Sequence, residues 1–146
     1  MDAFFGFGGA SLAIVFSNLG AAYGMAKSGS GIAGMGQRKP NLIIKALLPV
    51  VMASILGIYG MIVSVVIIKK MDLANYSFAQ GYKHFAAGLC CGLSSLAAGL
   101  AIGVVGDAGV RGTAQQEKIF VGMLLILIFA EAIGLYGMIL AIITAS

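Results

Sequence analysis

One carboxyl group lies in the middle of a long apolar run. Glu131 is the single charged residue within residues 119–144. An α-helix needs about 20 apolar residues to cross the hydrocarbon core of a bilayer, so this run is long enough to span a membrane. A charged group at that depth is costly, and ionisable residues in spanning helices usually mark functional sites. Glu131 is therefore the first candidate for ion chemistry in this chain.

The rest of the composition agrees with a membrane protein. The 146 residues are 60% hydrophobic and 10% charged, whereas soluble domains carry about 25% charged residues. Four uncharged or nearly uncharged stretches occur, at residues 4–26, 46–68, 85–105 and 119–144. Each is long enough to span a bilayer. The sequence predicts an all-α membrane protein with four transmembrane helices, at about residues 4–28, 42–68, 79–107 and 118–145.

The sequence also aligns with itself after a fixed shift, here called the repeat shift, which places residue 53 over residue 130. Residues 53–62 then match residues 130–139 at six of ten positions. A repeat of this length indicates a duplicated structural unit. Because each unit crosses the membrane twice, both copies have the same orientation. We therefore expect two tandem helical hairpins, residues 1–72 and 73–146.

The two repeats differ at one informative position. Ser54 stands where the second repeat has Glu131. The two hairpins therefore share one ionisable site.

The distribution of basic residues predicts the orientation. The first and third connections carry six basic residues, and the opposite side carries three: Lys27, Arg38, Lys39, Lys45, Arg111 and Lys118 against Lys69, Lys70 and Lys83. Basic residues concentrate on the cytosolic side of membrane proteins. We expect those two connections in the cytosol and both termini on the other side. The net charge of +4 is thus explained by topology, and no nucleic-acid partner is expected.

The third apolar stretch contains a stripe of small residues at steps of three or four. Its candidate packing residues are Gly88, Gly92, Gly99 and Gly103. Small residues at this spacing allow the backbones of two helices to approach closely. Packing within a hairpin and a crowded inner layer of an assembly both explain the stripe.

Several short motifs have simpler explanations. Residues 29–34 match GxGxxG, but a dinucleotide site requires a preceding strand, and here an apolar helix precedes it. Asn75 begins a glycosylation sequon that lies too close to the membrane for modification to be expected. Cys90 and Cys91 are adjacent within a helix and do not form a disulfide framework. No cofactor and no metal site are expected.

Asp107 and Arg111 are four residues apart at the end of the third helix. This spacing allows an ion pair on one helix face. A surface ion pair and a docking loop for a soluble partner are both compatible with the pattern.

The carboxyl group of Glu131 can carry a proton. In lipid the neutral acid is favoured, because a mid-membrane charge costs about 2.5–3.5 kcal/mol or more. Beside water or a fixed cation the ionised form is favoured. Sodium would need several oxygen ligands, and the predicted companions are Ser54, Tyr59 and Tyr136. These suffice to hydrogen-bond an acid but are few for a dehydrated cation.

Several stretches together resemble a known family. They are LLILIFAE at residues 124–131, GLYG at 134–137, IGVVGDAGVRGTAQQ at 102–116, KSG at 27–29 and LPVVMA at 48–53. The chain resembles the proteolipid of the membrane rotor, or c subunit, of V-type proton-translocating ATPases over nearly its whole length. Ser54 agrees with the family pattern of two hairpins and one carboxyl group.

The resemblance implies a rotor ring of proteolipid subunits. The first and third helices would line its inside, and Glu131 would face lipid and the a subunit of the stator. Glu131 would take a proton from a cytosolic half-channel and release it to the lumen near a stator arginine. Arg38, Lys39, Asp107 and Arg111 would lie on the face that meets the central stalk.

The resemblance further implies a multi-pass protein of vacuole-like or lysosome-like membranes, with both termini in the lumen. The chain would be no enzyme by itself, because ATP is hydrolysed in a separate soluble sector of the complex. Two alternatives come from the four-helix pattern. One is a small proton-coupled antiporter, which should offer aromatic surfaces for cations, but this chain has no Trp. The other is a structural channel that conducts without Glu131.

Overall fold

Four long helices form a bundle. The computed structural model describes residues 2–146, with Asp2 described by its backbone alone. Met1, where the predicted first hairpin begins, lies outside the described residues. The elements are α1 (Asp2–Gly36), a 3-10 turn (Pro40–Leu42), α2 (Ile43–Ala46), α3 (Leu48–Lys70), α4 (Phe78–Gln115) and α5 (Ile119–Ala145). All regular structure within residues 2–146 is helical, and four helical segments are long and apolar enough to cross a membrane. The predicted fold class is confirmed.

Two helices extend well beyond their predicted ends. The apolar pattern predicted ends near residues 28 and 107, whereas α1 continues to Gly36 and α4 to Gln115. The added turns pack against each other. A Cβ atom on Gly34 would lie 2.9 Å from Nη1 of Arg111. The helices therefore continue past the apolar stretches, since helix packing also stabilises a helix.

The second transmembrane segment is interrupted near its start. The prediction was one helix over residues 42–68, but α2 ends at Ala46 and α3 begins at Leu48. Pro49 lies in the first turn of α3. Proline has no N–H and its ring clashes with the carbonyl group four residues earlier, here that of Lys45. Pro49 therefore begins a new helix at this point.

The contacts within the first hairpin recur in the second. A Cβ atom on Gly60 of α3 would clash with Ser17 of α1, and one on Gly137 of α5 would clash with Ser94 of α4. The repeat shift relates each residue of the second pair to its counterpart in the first pair. The duplication is thus visible in the packing as well as in the sequence.

α1 and α4 meet along the centre of the bundle. Gly88 faces the backbone of Gly9, and Gly99 faces the backbone of Gly20, so closely that neither site has room for a Cβ atom. α3 lies beside α1, and it also contacts α4 and α5. Large buried side chains fill the space between the helices: Leu56, Val63, Ile67, Ile102, Val110 and Leu127.

The bundle has two distinct ends. We call the end with residues 37–47 and 116–118 the basic end, and the end with both termini and residues 71–77 the terminal end. At the terminal end, Ser77 and Gln80 cap α4 reciprocally, at 3.3 and 3.0 Å. The Tyr76 hydroxyl is 2.6 Å from Nδ1 of His84. Burial raises the pKa of the Tyr76 hydroxyl. The hydroxyl therefore stays protonated and can donate to Nδ1 of His84.

Candidate functional site

Glu131 lies near the middle of α5. Both oxygens of its carboxyl group are shielded from solvent and have no hydrogen-bond partner among residues 2–146. Burying a charge without hydrogen bonds is costly. In the isolated chain this environment therefore suits the neutral acid, and a change of neighbours is needed to favour the ionised form.

Tyr59 of α3 is the predicted companion that the structure brings to Glu131. Its hydroxyl lies within interaction range of the carboxyl group, although the pair does not reach the geometry of a hydrogen bond. Gly134 allows this approach. A Cβ atom there would lie 2.6 Å from Cδ2 of Leu56 and 3.6 Å from the Tyr59 ring. Because residue 134 has no side chain, the Tyr59 ring packs against α5 there, one helical turn from Glu131.

The structure does not bring the other two predicted companions to Glu131. The Ser54 hydroxyl donates to the carbonyl oxygen of Val51 in its own helix, at 2.7 Å, and Ser54 is exposed. Tyr136 is 66% exposed. It follows Glu131 by five residues, which places it about 140° around the helix. Within one chain, Tyr59 alone of these three companions faces the carboxyl group.

The predicted packing glycines face α1. Besides Gly88 and Gly99, described above, Gly92 lies against Leu12, where an added Cβ would be 2.7 Å from the carbonyl oxygen. An added Cβ on Gly103 would be 3.1 Å from the side chains of Tyr23 and Lys27. These contacts are between helices of different hairpins. The stripe therefore joins the two repeats within one chain.

Asp107 connects α4 to α1 at the basic end. Its carboxylate lies 2.7 Å from Nε of Arg111 and 3.2 Å from Nζ of Lys27, and its side chain is 16% exposed. The pair with Arg111 follows from the i,i+4 spacing. The pair with Lys27 was missed. The repeat contains a signal for it. Lys27 is the counterpart of residue 104, and equivalent residues of the two repeats lie at the same depth in the bundle. Lys27 is therefore about one helical turn from the level of Asp107.

Three predicted basic residues share a cleft at the same end. Arg38, Lys39 and Arg111 line a cleft of about 360 Å³ between the end of α1 and the end of α4. Asp107 is not among its lining residues, but it holds Arg111 by the ion pair. A concentration of guanidinium and ammonium groups suits an acidic protein surface.

The described chain has no cluster suited to a metal ion. Within residues 2–146, no group of three or more His, Cys, Asp or Glu side chains is placed to hold one.

Comparison with known proteins agrees with the duplicated architecture. The family model of the ATP synthase C subunit matches residues 8–67 and, a second time, residues 85–144. Both ends of the second match are related to those of the first by the repeat shift. The family model therefore divides the chain in the same way as its alignment with itself.

Individual relatives are similar over almost the whole chain. The V-type proton ATPase 16 kDa proteolipid of Nephrops norvegicus is 62% identical over 95% of this chain and 88% of its own length. A 16 kDa proteolipid of the same kind from Caenorhabditis briggsae is 58% identical over 96% of this chain and 88% of its own length. The V-type proteolipid of Rattus norvegicus is 57% identical over 99% of this chain and 93% of its own length. The chain belongs to the V-type ATPase proteolipid family.

The relatives are subunits of a proton-pumping ATPase complex. Nothing in these comparisons supports the antiporter alternative. In this family member Glu131 lies in the second match and Ser54 in the first. The hairpin that contains the carboxyl group and the hairpin that lacks it are therefore two copies of one unit.

Proposed function

We propose that this proteolipid carries protons in the membrane sector of an ATP-driven V-type pump, with Glu131 as the group that gains and loses the proton. The observation that carries the proposal is the position of the Glu131 carboxyl group. It lies in mid-helix, shielded from solvent and without a hydrogen bond to residues 2–146. Such a group changes its charge when its neighbours change, as a proton carrier must.

The energies are well matched for this role. Moving an ionised carboxyl group into the bilayer costs about 2.5–3.5 kcal/mol or more. A fixed cation 4 Å away offsets about 4 kcal/mol at the effective dielectric constant of a protein. Glu131 would therefore cross lipid as the neutral acid and ionise beside a stator arginine. In a turning ring, protons would enter from a cytosolic half-channel and leave to the lumen.

The surroundings of Glu131 favour protons over sodium. The Ser54 hydroxyl is engaged with the Val51 carbonyl group, and Tyr136 lies on the exposed surface. Of the three predicted companions, Tyr59 is the one whose oxygen lies near the carboxyl group. A hard cation takes several oxygen ligands, so this site suits a proton better than Na⁺.

The remaining surfaces fit the partners of a rotor. The hairpins of residues 1–72 and 73–146 would be the repeating units of a ring built with further proteolipid subunits. The ring would turn against the a subunit of the stator. The cleft at Arg38, Lys39 and Arg111 would face the cytosol and accept acidic residues of the central stalk. Both termini would lie in the lumen of a vacuole-like organelle, and ATP would be hydrolysed by another sector of the complex.

The test is ATP-driven acidification of membrane vesicles. Glu131→Gln keeps the size and the hydrogen-bonding ability of the neutral acid but cannot ionise, so we expect intact rings and no acidification. The matched control is Glu117→Gln, because Glu117 is an exposed carboxyl group in the connection between α4 and α5. Normal acidification by Glu131→Gln membranes would refute the proposed function.

A further inference from the structure

A polar cavity opens at the terminal end, between the ends of α3 and α5 and the first turns of α4. It encloses about 280 Å³. We propose that this cavity binds a phosphate group. It lies about 20 Å along α5 from Glu131, so the proposal goes beyond proton carriage and does not depend on it. The lining residues come from three helix ends: Lys70, Gln80, Lys83, His84, Ala145 and Ser146.

Two ammonium groups reach the cavity from different helices. Lys70 ends α3, and Lys83 lies in the second turn of α4. Both are within electrostatic range of the His84 ring. Among the side chains of residues 3–146, neither ammonium group forms an ion pair. Like charges that converge without a counter-charge repel each other, and an anion in the cavity would relieve that repulsion.

The carboxyl group closest to Lys70 in the sequence does not supply this anion. Asp72 accepts hydrogen bonds from the backbone N–H of Ala74 at 3.1 Å and from the side-chain amide of Asn75 at 3.5 Å. Both bonds lie within the connection between α3 and α4. The Asp72 carboxylate therefore stabilises this turn, and the two lysines remain available to a ligand.

His84 gives the cavity a fixed wall. Its residue is 4% exposed, and its Nδ1 is 2.6 Å from the Tyr76 hydroxyl. The carbonyl group of Ala145 lies within interaction range of the same ring. The imidazole thus connects α4 to the preceding turn and to the end of α5. A site whose wall is already held in place needs little reorganisation when a ligand binds.

The donors around the cavity suit a phosphate group. Lysine ammonium groups bind phosphate as compact point charges, each with three donors. The side-chain oxygen of Gln80 accepts from the backbone N–H of Ser77 at 3.0 Å, which leaves the Gln80 NH₂ group as a neutral donor. Two ammonium groups and one amide match both the negative charge of a phosphate group and its several acceptor oxygens.

The position of the cavity favours a lipid headgroup over free phosphate as the source of this group. Tyr82, which adjoins Lys83, is 52% exposed, and tyrosine is enriched where helices meet the membrane–water interface. Lysines near helix ends extend their ammonium groups to the same level. Basic pockets between membrane helices at this level bind anionic headgroups.

The test measures binding of phosphatidic acid to the full-chain protein purified in a neutral detergent. Native mass spectrometry would count the bound lipids per chain as the lipid concentration rises. Lys70→Gln with Lys83→Gln should weaken binding about 30-fold, because each ammonium group near a membrane surface contributes about fivefold. Lys69→Gln with Lys118→Gln makes the same change in net charge with residues that do not line the cavity, so this control should retain the lipid.

A charge-conserving variant separates the site from general effects on folding. Lys70→Arg with Lys83→Arg keeps both positive charges and should bind phosphatidic acid as the unchanged protein does. The substituted lysines are all exposed, so helical circular dichroism should be the same for every variant. Phosphatidylcholine, which has no net charge, should bind weakly and equally to all of them.

Inorganic phosphate distinguishes the two sources. If the headgroup is the ligand, phosphatidic acid should raise the melting temperature of the delipidated protein and inorganic phosphate should not. A rise with inorganic phosphate that requires Lys70 and Lys83 would support the site and assign it to the free ion. Equal binding of phosphatidic acid by the two lysine-to-glutamine double variants, with no lysine-dependent response to inorganic phosphate, would overturn the proposal. These measurements need no ATP, so neither result bears on the role of Glu131.

Discussion

The Asp107 carboxylate of α4 is paired with the Lys27 ammonium group of α1, at 3.2 Å. The pair joins the two repeats at the basic end. The repeat shift relates Lys27 to Val104 and Asp107 to Ser30, and these two residues cannot form an ion pair. The ionic connection between the repeats is therefore not itself repeated.

Asp107→Asn should lower the stability of the folded chain. The substitution removes the partner of both Lys27 and Arg111, and partly exposed ion pairs contribute about 0.2–1 kcal/mol each. Thermal unfolding in detergent at low salt would measure the loss. Glu117→Gln, which removes an exposed carboxylate, should leave the melting temperature unchanged. Equal melting of the two variants would show that the ion pairs do not stabilise the bundle.

Gly99→Ala should separate α1 from α4. A Cβ atom at Gly99 would clash with the backbone of Gly20, and overpacking of this kind costs about 1–3 kcal/mol. Gly122→Ala is the matched control on α5, because an added Cβ there meets no atom within 4 Å. Unfolding in detergent should show a clear loss for the first variant and none for the second. A stable Gly99→Ala chain would contradict the close approach of the two backbones.

Tyr59→Phe should slow proton transport without disturbing assembly. The Tyr59 hydroxyl faces Glu131 without a hydrogen bond in the isolated chain. A hydrogen bond that it donates when the carboxyl group ionises in the ring would contribute about 0.5–1.5 kcal/mol, up to about tenfold in rate. Tyr136→Phe makes the same chemical change on the exposed side and should transport at the normal rate. Initial acidification rates, normalised to the amount of ring, would compare them. A larger effect at Tyr136 would reverse the assignment.

Ser54→Glu should raise the number of protons carried per turn. The substitution places a second carboxyl group at the exposed counterpart of Glu131. With the same energy from ATP per turn, the limiting pH gradient should fall. The measurements are the ratio of protons moved to ATP hydrolysed and the steady-state gradient, with Ser54→Gln as the uncharged control. An unchanged ratio in assembled rings would mean that the first hairpin cannot exchange protons.

A hydrophobic carbodiimide should label Glu131 and stop acidification. The reagent reacts with the neutral acid in an apolar environment, so labelling should decline as the pH rises and the carboxyl group ionises. Glu117, which is exposed to solvent, should remain unlabelled throughout. Mass spectrometry of peptides from membranes treated across a pH series would measure both residues. Labelling of Glu131 that does not vary with pH would contradict its reversible ionisation.

The amino-acid sequence by itself determined the four membrane-spanning segments, the duplication and the isolation of Glu131. The segments depend on local composition, because the length of an apolar run decides whether it spans a bilayer. The repeat shift needs only a comparison of the chain with itself. The single carboxyl group is visible from the sequence too, since a charge within an apolar run stands out without any tertiary information.

Only the tertiary structure decided which side chains meet. It extended α1 to Gly36 and divided the second segment at Leu47, joined Lys27 to Asp107 and turned Ser54 and Tyr136 away from Glu131. Periodicity places a residue on a helix face but does not say which helix that face contacts. That choice depends on how closely the backbones can approach, and here the glycines between α1 and α4 set the distance.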